Sequence, residues 1–162
     1  HDGRFLGRFE LIRNTHFSDR YEVSYFVCHD EWGEGIATEA VSLALDTAFE
    51  KLGASRVEWA AHVGNWGSWK AAWKNGFRKE GVARLPGYEA WIGGILATDP
   101  RTPASPWDGP SAGAPEILDS SRPQALVQQF HTTYFMPDRI RDHQEPTLDY
   151  ERLHMRVSLI RE

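Results

Sequence analysis

The stretch EWGEGIATEA, residues 31–40, decides the fold that we expect for this chain. Gly33 and Gly35 flank a single residue, and the apolar spacing that follows predicts a helix that begins directly after them. A helix N-terminus offers unpaired N–H groups and about half a positive charge, and glycines let the backbone come close to a bound anion. The pattern therefore indicates an anion site, although a structural turn is the alternative that a lone GxG favours.

Strands and helices are predicted on both sides of this loop. RFLGRFELIR (4–13) and YEVSYFVC (21–28) are rich in β-forming residues and are expected to pair as a hairpin before the loop. The helix after the loop is expected to end at Gly53. Alternation and turn residues then predict a strand, a short helix and two more strands, in RVEWAAHV (56–63), at about 66–75, in FRKEGVAR (77–84) and in YEAWIGGILA (88–97).

Composition bounds the class of protein. The chain has 162 residues, a formal net charge of −5 and 41% hydrophobic residues, so it can bury the core of one full domain. The acidic balance argues against a nucleic-acid partner, and no apolar run reaches the roughly 18 to 20 residues that a membrane helix needs. Cys28 is the single cysteine and no zinc-like spacing is present. We therefore expect a cytoplasmic globular enzyme or binding module without a metal.

Several motifs surround the loop in a fixed order. Glu22 lies on the strand before WGEGIATEA, and the motif residues after it are Asn65, Ser68, Gly76, Phe77, Glu80 and Gly81. In this order and spacing they resemble the GNAT acetyltransferases, specifically the group typified by ribosomal-protein N-acetyltransferases. The similarity is close over residues 21–81 and looser back to 4 and on to 99.

The resemblance implies an α/β (α+β) fold, with a mixed, mostly antiparallel central sheet flanked by helices. Two strands of this sheet would splay apart to hold the pantetheine arm of acetyl-CoA, the co-substrate, while its pyrophosphate would lie on backbone N–H groups. The cofactor-binding residues are then Trp32, Gly33, Glu34, Gly35, Ile36, Ala37, Asn65 and Ser68. Because the backbone binds the anion, the acidic side chain of Glu34 can point outward, where family members often carry Lys or Arg.

Acetyl transfer to an amine needs a deprotonated amine, a polarised carbonyl and a proton for the departing thiolate. The resemblance makes Glu22 the base, directly or through water, and the alternative is a solvent-facing glutamate. It makes Ser68 a proton donor or cofactor contact. We favour positioning, since a hydroxyl is a poor acid, and a plain first-turn helix serine is the alternative. Asn65 would bind pantetheine or cap the next helix. Trp73 stands where many GNAT members have an acid tyrosine, and an indole cannot supply that proton.

The chain changes character near residue 99. DPRTPASPWDGPSAGAP (99–115) is rich in proline and predicts a linker or an extended arm, assigned to 100–120 after a GNAT domain at 1–99. Residues 121–162 are predicted as a helical segment, although ERLHMRVSLIRE also fits a strand. LVQQFH and RLHMRVSLIRE resemble the start of MazG-like nucleotide pyrophosphohydrolases. The alternative is a C-terminal extension that packs on the acetyltransferase.

The sequence thus predicts an N-acetyltransferase that moves an acetyl group from acetyl-CoA to a primary amine by direct attack in a ternary complex. The amine would belong to a protein N-terminus or a small molecule. The chain is expected to lack the first strand and two helices that the family places before residue 4 and that line the acceptor site. The alternatives are a non-catalytic acyl-CoA-binding regulatory module and part of a bifunctional protein with a nucleotide pyrophosphohydrolase.

Overall fold

The computed structural model describes residues 5–111 and the strand at 154–160. Its strands and α-helices, in chain order, are β1 Phe5–Arg13, β2 Arg20–Val27, α1 Ile36–Asp46, β3 Arg56–His62, α2 Trp66–Lys74, β4 Arg78–Leu85, β5 Tyr88–Leu96 and β6 His154–Ile160. A short 3-10 turn, His29–Glu31, precedes α1, and a π-helical turn, Thr47–Lys51, continues it. Every strand and helix predicted between residues 4 and 97 is present.

The strands form one six-stranded sheet in the order β4-β5-β3-β2-β1-β6. Neighbouring strands run antiparallel except for β2 and β3, which run parallel. The predicted mixed, mostly antiparallel sheet flanked by helices is therefore confirmed. Neither helix of the described residues is long and apolar enough to cross a membrane.

The parallel pair β2 and β3 separates soon after it begins. Residues 20–22 lie opposite 56–58, and there the pairing of the two strands ends. Beyond that point β2 continues along β1 as far as Val27, and β3 continues along β5 as far as His62. The sheet consequently opens between residues 23–27 of β2 and 59–62 of β3, and we call this opening the splay.

Both helices pack on one face of the sheet. Side chains alternate between the two faces of a strand, so every second residue of β1, β2 and β3 faces the helices. The buried core residues on the strands include Phe9, Leu11, Tyr21, Val23, Val57 and Trp59, and those on the helices include Val41, Ala44, Leu45, Trp69 and Ala72. Asn75 Nδ2 also donates to the carbonyl oxygen of Thr38 at 2.9 Å, which ties the end of α2 to the start of α1.

The proline-rich residues up to 109 belong to the same compact unit as the sheet. Arg101 pairs with Asp46 on α1 at 2.9 Å, and Trp73 Nε1 on α2 donates to the carbonyl oxygen of Ser105 at 2.9 Å. Gly76 has a φ of 90°, and a Cβ there would collide with the carbonyl oxygen of Pro100. These contacts favour the extended arm over the linker for residues 100–109. Residues 112–120 lie outside the described residues.

The strand β6 corrects the prediction of a helical C-terminal segment in its last part. His154–Ile160 pairs antiparallel with β1, from Phe5 opposite Ile160 to Ile12 opposite His154. The period-two alternative for this stretch is the right one, because the edge of β1 offers backbone partners that a strand satisfies and a helix does not. Residues 121–153 lie outside the described residues, so the MazG-like resemblance stays a prediction.

Candidate functional site

The loop between β2 and α1 brings unpaired N–H groups to the open end of the splay. Gly33 and Gly35 have φ angles of 89° and 82°, in the left-handed region that favours glycine. Gly35 is the N-cap of α1, makes no side-chain cap bond, and accepts the Glu39 N–H at 3.1 Å. The N–H groups of Ile36 and Ala37 precede that bond and have no intrahelical acceptor. They are the groups that could hold a phosphate.

Trp32 and Glu34 have different places in this loop. Trp32 Nε1 donates to the carbonyl oxygen of Val27 at 2.9 Å, so the indole fixes the loop to the end of β2. Its ring also packs against His29, with 4.7 Å between the ring centres. The side chain of Glu34 is exposed, which is consistent with an anion contact made by the backbone.

The start of α2 lies beside the splay and is capped by Asn65. Asn65 Oδ1 accepts the backbone N–H of Ser68 at 3.1 Å. The structure therefore shows the capping role that the sequence allowed for Asn65. The cap places Ser68 in the first turn of α2, with its hydroxyl directed at the polar ends of Tyr25 and Trp59.

Three side chains form a hydrogen-bonded cluster across the splay, which we call the splay cluster: Tyr25, Trp59 and Ser68. Trp59 Nε1 donates to Ser68 Oγ at 3.1 Å and lies 3.2 Å from the Tyr25 hydroxyl. Tyr25 donates to the Ser68 carbonyl oxygen at 2.9 Å, and Ser68 Oγ donates back to the phenol at 3.1 Å. Burial raises the pKa of Tyr25 to about 12, so the phenol stays protonated. The cluster joins β2, β3 and α2.

Tyr25 and Trp59 were not among the predicted site residues. Each is an aromatic residue with a polar tip at a core-facing position, and such side chains generally find a hydrogen-bond partner when buried. That signal was present in the sequence for both residues. Their meeting at Ser68 was not, because it depends on the divergence of β2 and β3 in three dimensions.

Glu22 lies where the splay begins, on the sheet face opposite the helices. It follows Tyr21 and precedes Val23, both of which face the core, and it is paired in register with Glu58 on β3. Burial raises the pKa of Glu22, and the neighbouring carboxylate of Glu58 raises it further. Arg56 donates to Glu58 Oε1 at 3.1 Å and also pairs with Glu80. Glu22 is thus at the apex of the splay and the splay cluster is at its helix face. Over the described residues, no three His, Cys, Asp or Glu side chains meet as a metal site would require.

This arrangement defines a class of protein: an α/β acyltransferase fold whose sheet opens between two parallel strands in front of a glycine-capped helix. Residues 1–78 match the sequence profile described as "Acetyltransferase (GNAT) domain". The matched part, just under half of the chain, is therefore similar to GNAT acetyltransferase domains, as the resemblance implied.

Curated relatives match about half of the chain. "Probable N-acetyltransferase YjcK" of Bacillus subtilis (strain 168) is 39% identical over 86 residues, which are 51% of this chain and 46% of YjcK. YdaF of the same strain, provisionally named a ribosomal N-acetyltransferase, is 33% identical over 84 residues, 52% of this chain and 46% of YdaF. The chain spans about half the length of these relatives.

Solved structures show the same fold. A crystal structure of a probable acetyltransferase is 29% identical with a TM-score of 0.54, over 59% of this chain and 58% of that chain. Spermidine N-acetyltransferase from Vibrio cholerae, in complex with CoA and spermine, is 22% identical with a TM-score of 0.52, over 58% of this chain and 59% of that chain. At that identity the second likeness concerns the fold alone.

Proposed function

We propose that this chain carries the acetyl-CoA site of an N-acetyltransferase that moves the acetyl group to a primary amine by direct attack in a ternary complex. The observation that supports this most strongly is the splay. Two strand edges diverge after three paired residues, and both helices of the domain begin at the open end. An elongated ligand with an anionic end and amide groups along its length fits such an opening.

Acetyl-CoA has the chemistry that this opening would recognise. Its pyrophosphate would accept hydrogen bonds from the N–H groups of Ile36 and Ala37, and the helix dipole favours the negative charge. The amides of its pantetheine arm would pair with the backbone edges of residues 23–27 and 59–62, as an added strand pairs with a sheet edge. The thioester would then lie near the splay cluster, and Ser68 and Asn65 would position it.

Glu22 is the base in this mechanism. Attack forms a bond from the amine nitrogen to the acetyl carbon and breaks the carbon–sulfur bond, while the amine loses a proton. The raised pKa brings Glu22 closer to the working pH, where a base transfers protons most effectively. A thioester that passes through the splay from the helix face reaches the opposite face at Glu22. The amine would therefore approach from that opposite face.

The departing thiolate does not require a strong acid. A thiol has a pKa of about 8.5, well below that of a serine hydroxyl. It is also below the pKa of Tyr25, about 12. Neither hydroxyl is thus acidic enough to protonate the leaving group fully. Ser68 would act by turning its single O–H from the Tyr25 phenol to the thioester sulfur or carbonyl oxygen, which supports positioning over acid catalysis.

Titration calorimetry with acetyl-CoA, followed by an assay of thiol release, tests this function. The amine panel should contain a peptide with a free N-terminus, a lysine peptide and spermidine, because relatives and structural neighbours are named for ribosomal proteins and spermidine. We expect binding and acetyl transfer to one of these amines. Binding without transfer to any of them would indicate the regulatory acyl-CoA-binding module instead, and a lack of binding would contradict both functions.

Glu22→Gln should lower kcat by about a hundredfold or more, the contribution typical of a general base, while acetyl-CoA still binds. Only the ionised carboxylate accepts a proton, so the wild-type rate should fall as the pH drops through the raised pKa of Glu22. In the variant this acid limb should disappear. Glu50→Gln, an exposed carboxyl on the π-helical turn, is the matched control. An unchanged acid limb in Glu22→Gln would exclude Glu22 as the base.

A further inference from the structure

Lys79 on β4 lies in a cage of three tryptophan rings. Its Nζ is 4.1 Å from the ring centre of Trp91, 4.6 Å from that of Trp69 and 5.0 Å from that of Trp66. The same ammonium pairs with Asp108 Oδ2 at 2.7 Å. The other oxygen of Asp108 accepts the indole N–H of Trp69 at 2.6 Å. We call Lys79, the three rings and Asp108 the lysine cage.

The cage holds a cation that is largely withdrawn from water. Only 22% of the Lys79 side chain is exposed. An ammonium gives up hydration when it is covered, and aromatic faces and a carboxylate replace that hydration only if they are held at contact distance. The cage therefore fixes four parts of the chain relative to one another: β4, β5, the helix α2 and the arm at Asp108.

Trp69 connects the lysine cage to the splay cluster. The Trp69 ring contacts the Lys79 ammonium in the cage. The same ring also packs against Trp59 in the core, with 5.4 Å between ring centres. Trp59 in turn donates its indole N–H to Ser68 Oγ. The path from the ammonium of Lys79 to the hydroxyl of Ser68 thus consists of two ring contacts and one hydrogen bond.

We propose that Lys79 and Asp108 are positioning residues for the acyl-CoA site, because they hold Trp69, and through it Trp59 and Ser68, in the geometry that the thioester meets. This inference rests on the proposed function. It assigns a role to Asp108, which lies beyond the residues matched by the family profile. On this proposal the arm contributes to the geometry of the acyl-CoA site. The alternative is that the cage only attaches the arm to the domain.

Two substitutions separate these alternatives. Lys79→Met keeps the apolar stem and removes the cation, whereas Lys79→Arg keeps the cation. With Lys79→Met we expect acetyl-CoA to bind about three- to tenfold more weakly, equivalent to about 0.7 to 1.4 kcal/mol. The KM for acetyl-CoA should rise by the same factor while the KM for the amine is unchanged. Lys79→Arg should recover most of the affinity. Lys74→Met, which changes an exposed lysine at the end of α2, is the control.

Asp108→Asn gives a second measurement if Lys79→Met folds poorly, since Asp108 is half exposed and its loss is easier to tolerate. We expect a smaller loss of acetyl-CoA affinity in the same direction. The tryptophan emission spectrum of the free protein should also shift, because the charges beside Trp69 change. Wild-type affinity in Asp108→Asn and in a folded Lys79→Met, at a temperature well below unfolding, would overturn the inference. Failure of the wild-type protein to bind acetyl-CoA would instead overturn the proposed function.

Discussion

The two helix starts of this domain offer ligand contacts in different ways. At α1 the candidate contacts are backbone N–H groups. Gly33 and Gly35 contribute by allowing the left-handed backbone conformation of the loop. At α2 they are side chains, since Ser68 is directed by a cap and by two aromatic partners on neighbouring strands. A backbone site depends on local conformation and a side-chain site depends on tertiary packing. Substitutions should therefore affect the two starts differently.

The largest effect is expected from Gly35→Val. A β-branched residue in the left-handed region is strained, so the loop should change conformation and turn its N–H groups away. We expect acetyl-CoA affinity to fall by at least about tenfold, or about 1.4 kcal/mol, in calorimetry. Gly87→Val is a matched control, because Gly87 in the β4–β5 turn has a φ of 86° and likewise no atom within 4 Å of an added Cβ. Equal losses of acetyl-CoA affinity in the two variants would mean that the loop at Gly35 has no particular role in binding acetyl-CoA.

A smaller effect is expected at the other helix start, from Tyr25→Phe. The change removes one hydroxyl, while Ser68 Oγ keeps the indole N–H of Trp59. The lost hydroxyl bonds to the carbonyl oxygen and the Oγ of Ser68 and also accepts from Trp59 Nε1. Each such hydrogen bond is worth about 0.5 to 1.5 kcal/mol, so acetyl-CoA should bind about two- to tenfold more weakly as Ser68 is held less firmly. Tyr21→Phe, on the same face of β2 but in its paired part, is the control. If both variants bind acetyl-CoA like the wild type, the splay cluster has no part in binding.

The contrast between local conformation and tertiary packing also explains which parts of the fold and the site can be predicted from the sequence. The hairpin, the glycine-capped helix and the succession of strands and helices along the chain up to Leu96 follow from short-range patterns, namely alternation, helical spacing and turn residues. The loop around Gly35 could be predicted for the same reason. Tyr25, Trp59 and Lys79 take their roles from partners far away in the chain. The burial of the two aromatic residues can be expected from the sequence, but the cover over Lys79 and the contacts of all three residues cannot. The strand β6 belongs to this second group, because its stretch fits both a helix and a strand until the edge of β1 is available.

The smallest effect is expected from Glu34→Lys, which tests whether the loop binds through its backbone. The side chain is exposed and lies between the two glycines, so it contributes only its charge, at a distance, to an anion held by N–H groups. Replacing the carboxylate by an ammonium should tighten acetyl-CoA binding modestly at low salt. The gain should fade as salt is added, because at 0.1 M ionic strength exposed charges more than about 10 Å apart are largely screened from each other. If the gain in affinity persisted at high salt, the new side chain would be touching the ligand directly. If no gain appeared at low salt, the phosphate would not lie near this helix start. A salt-sensitive gain would distinguish the two helix starts clearly, since at α2 the proposed contact is the side chain itself.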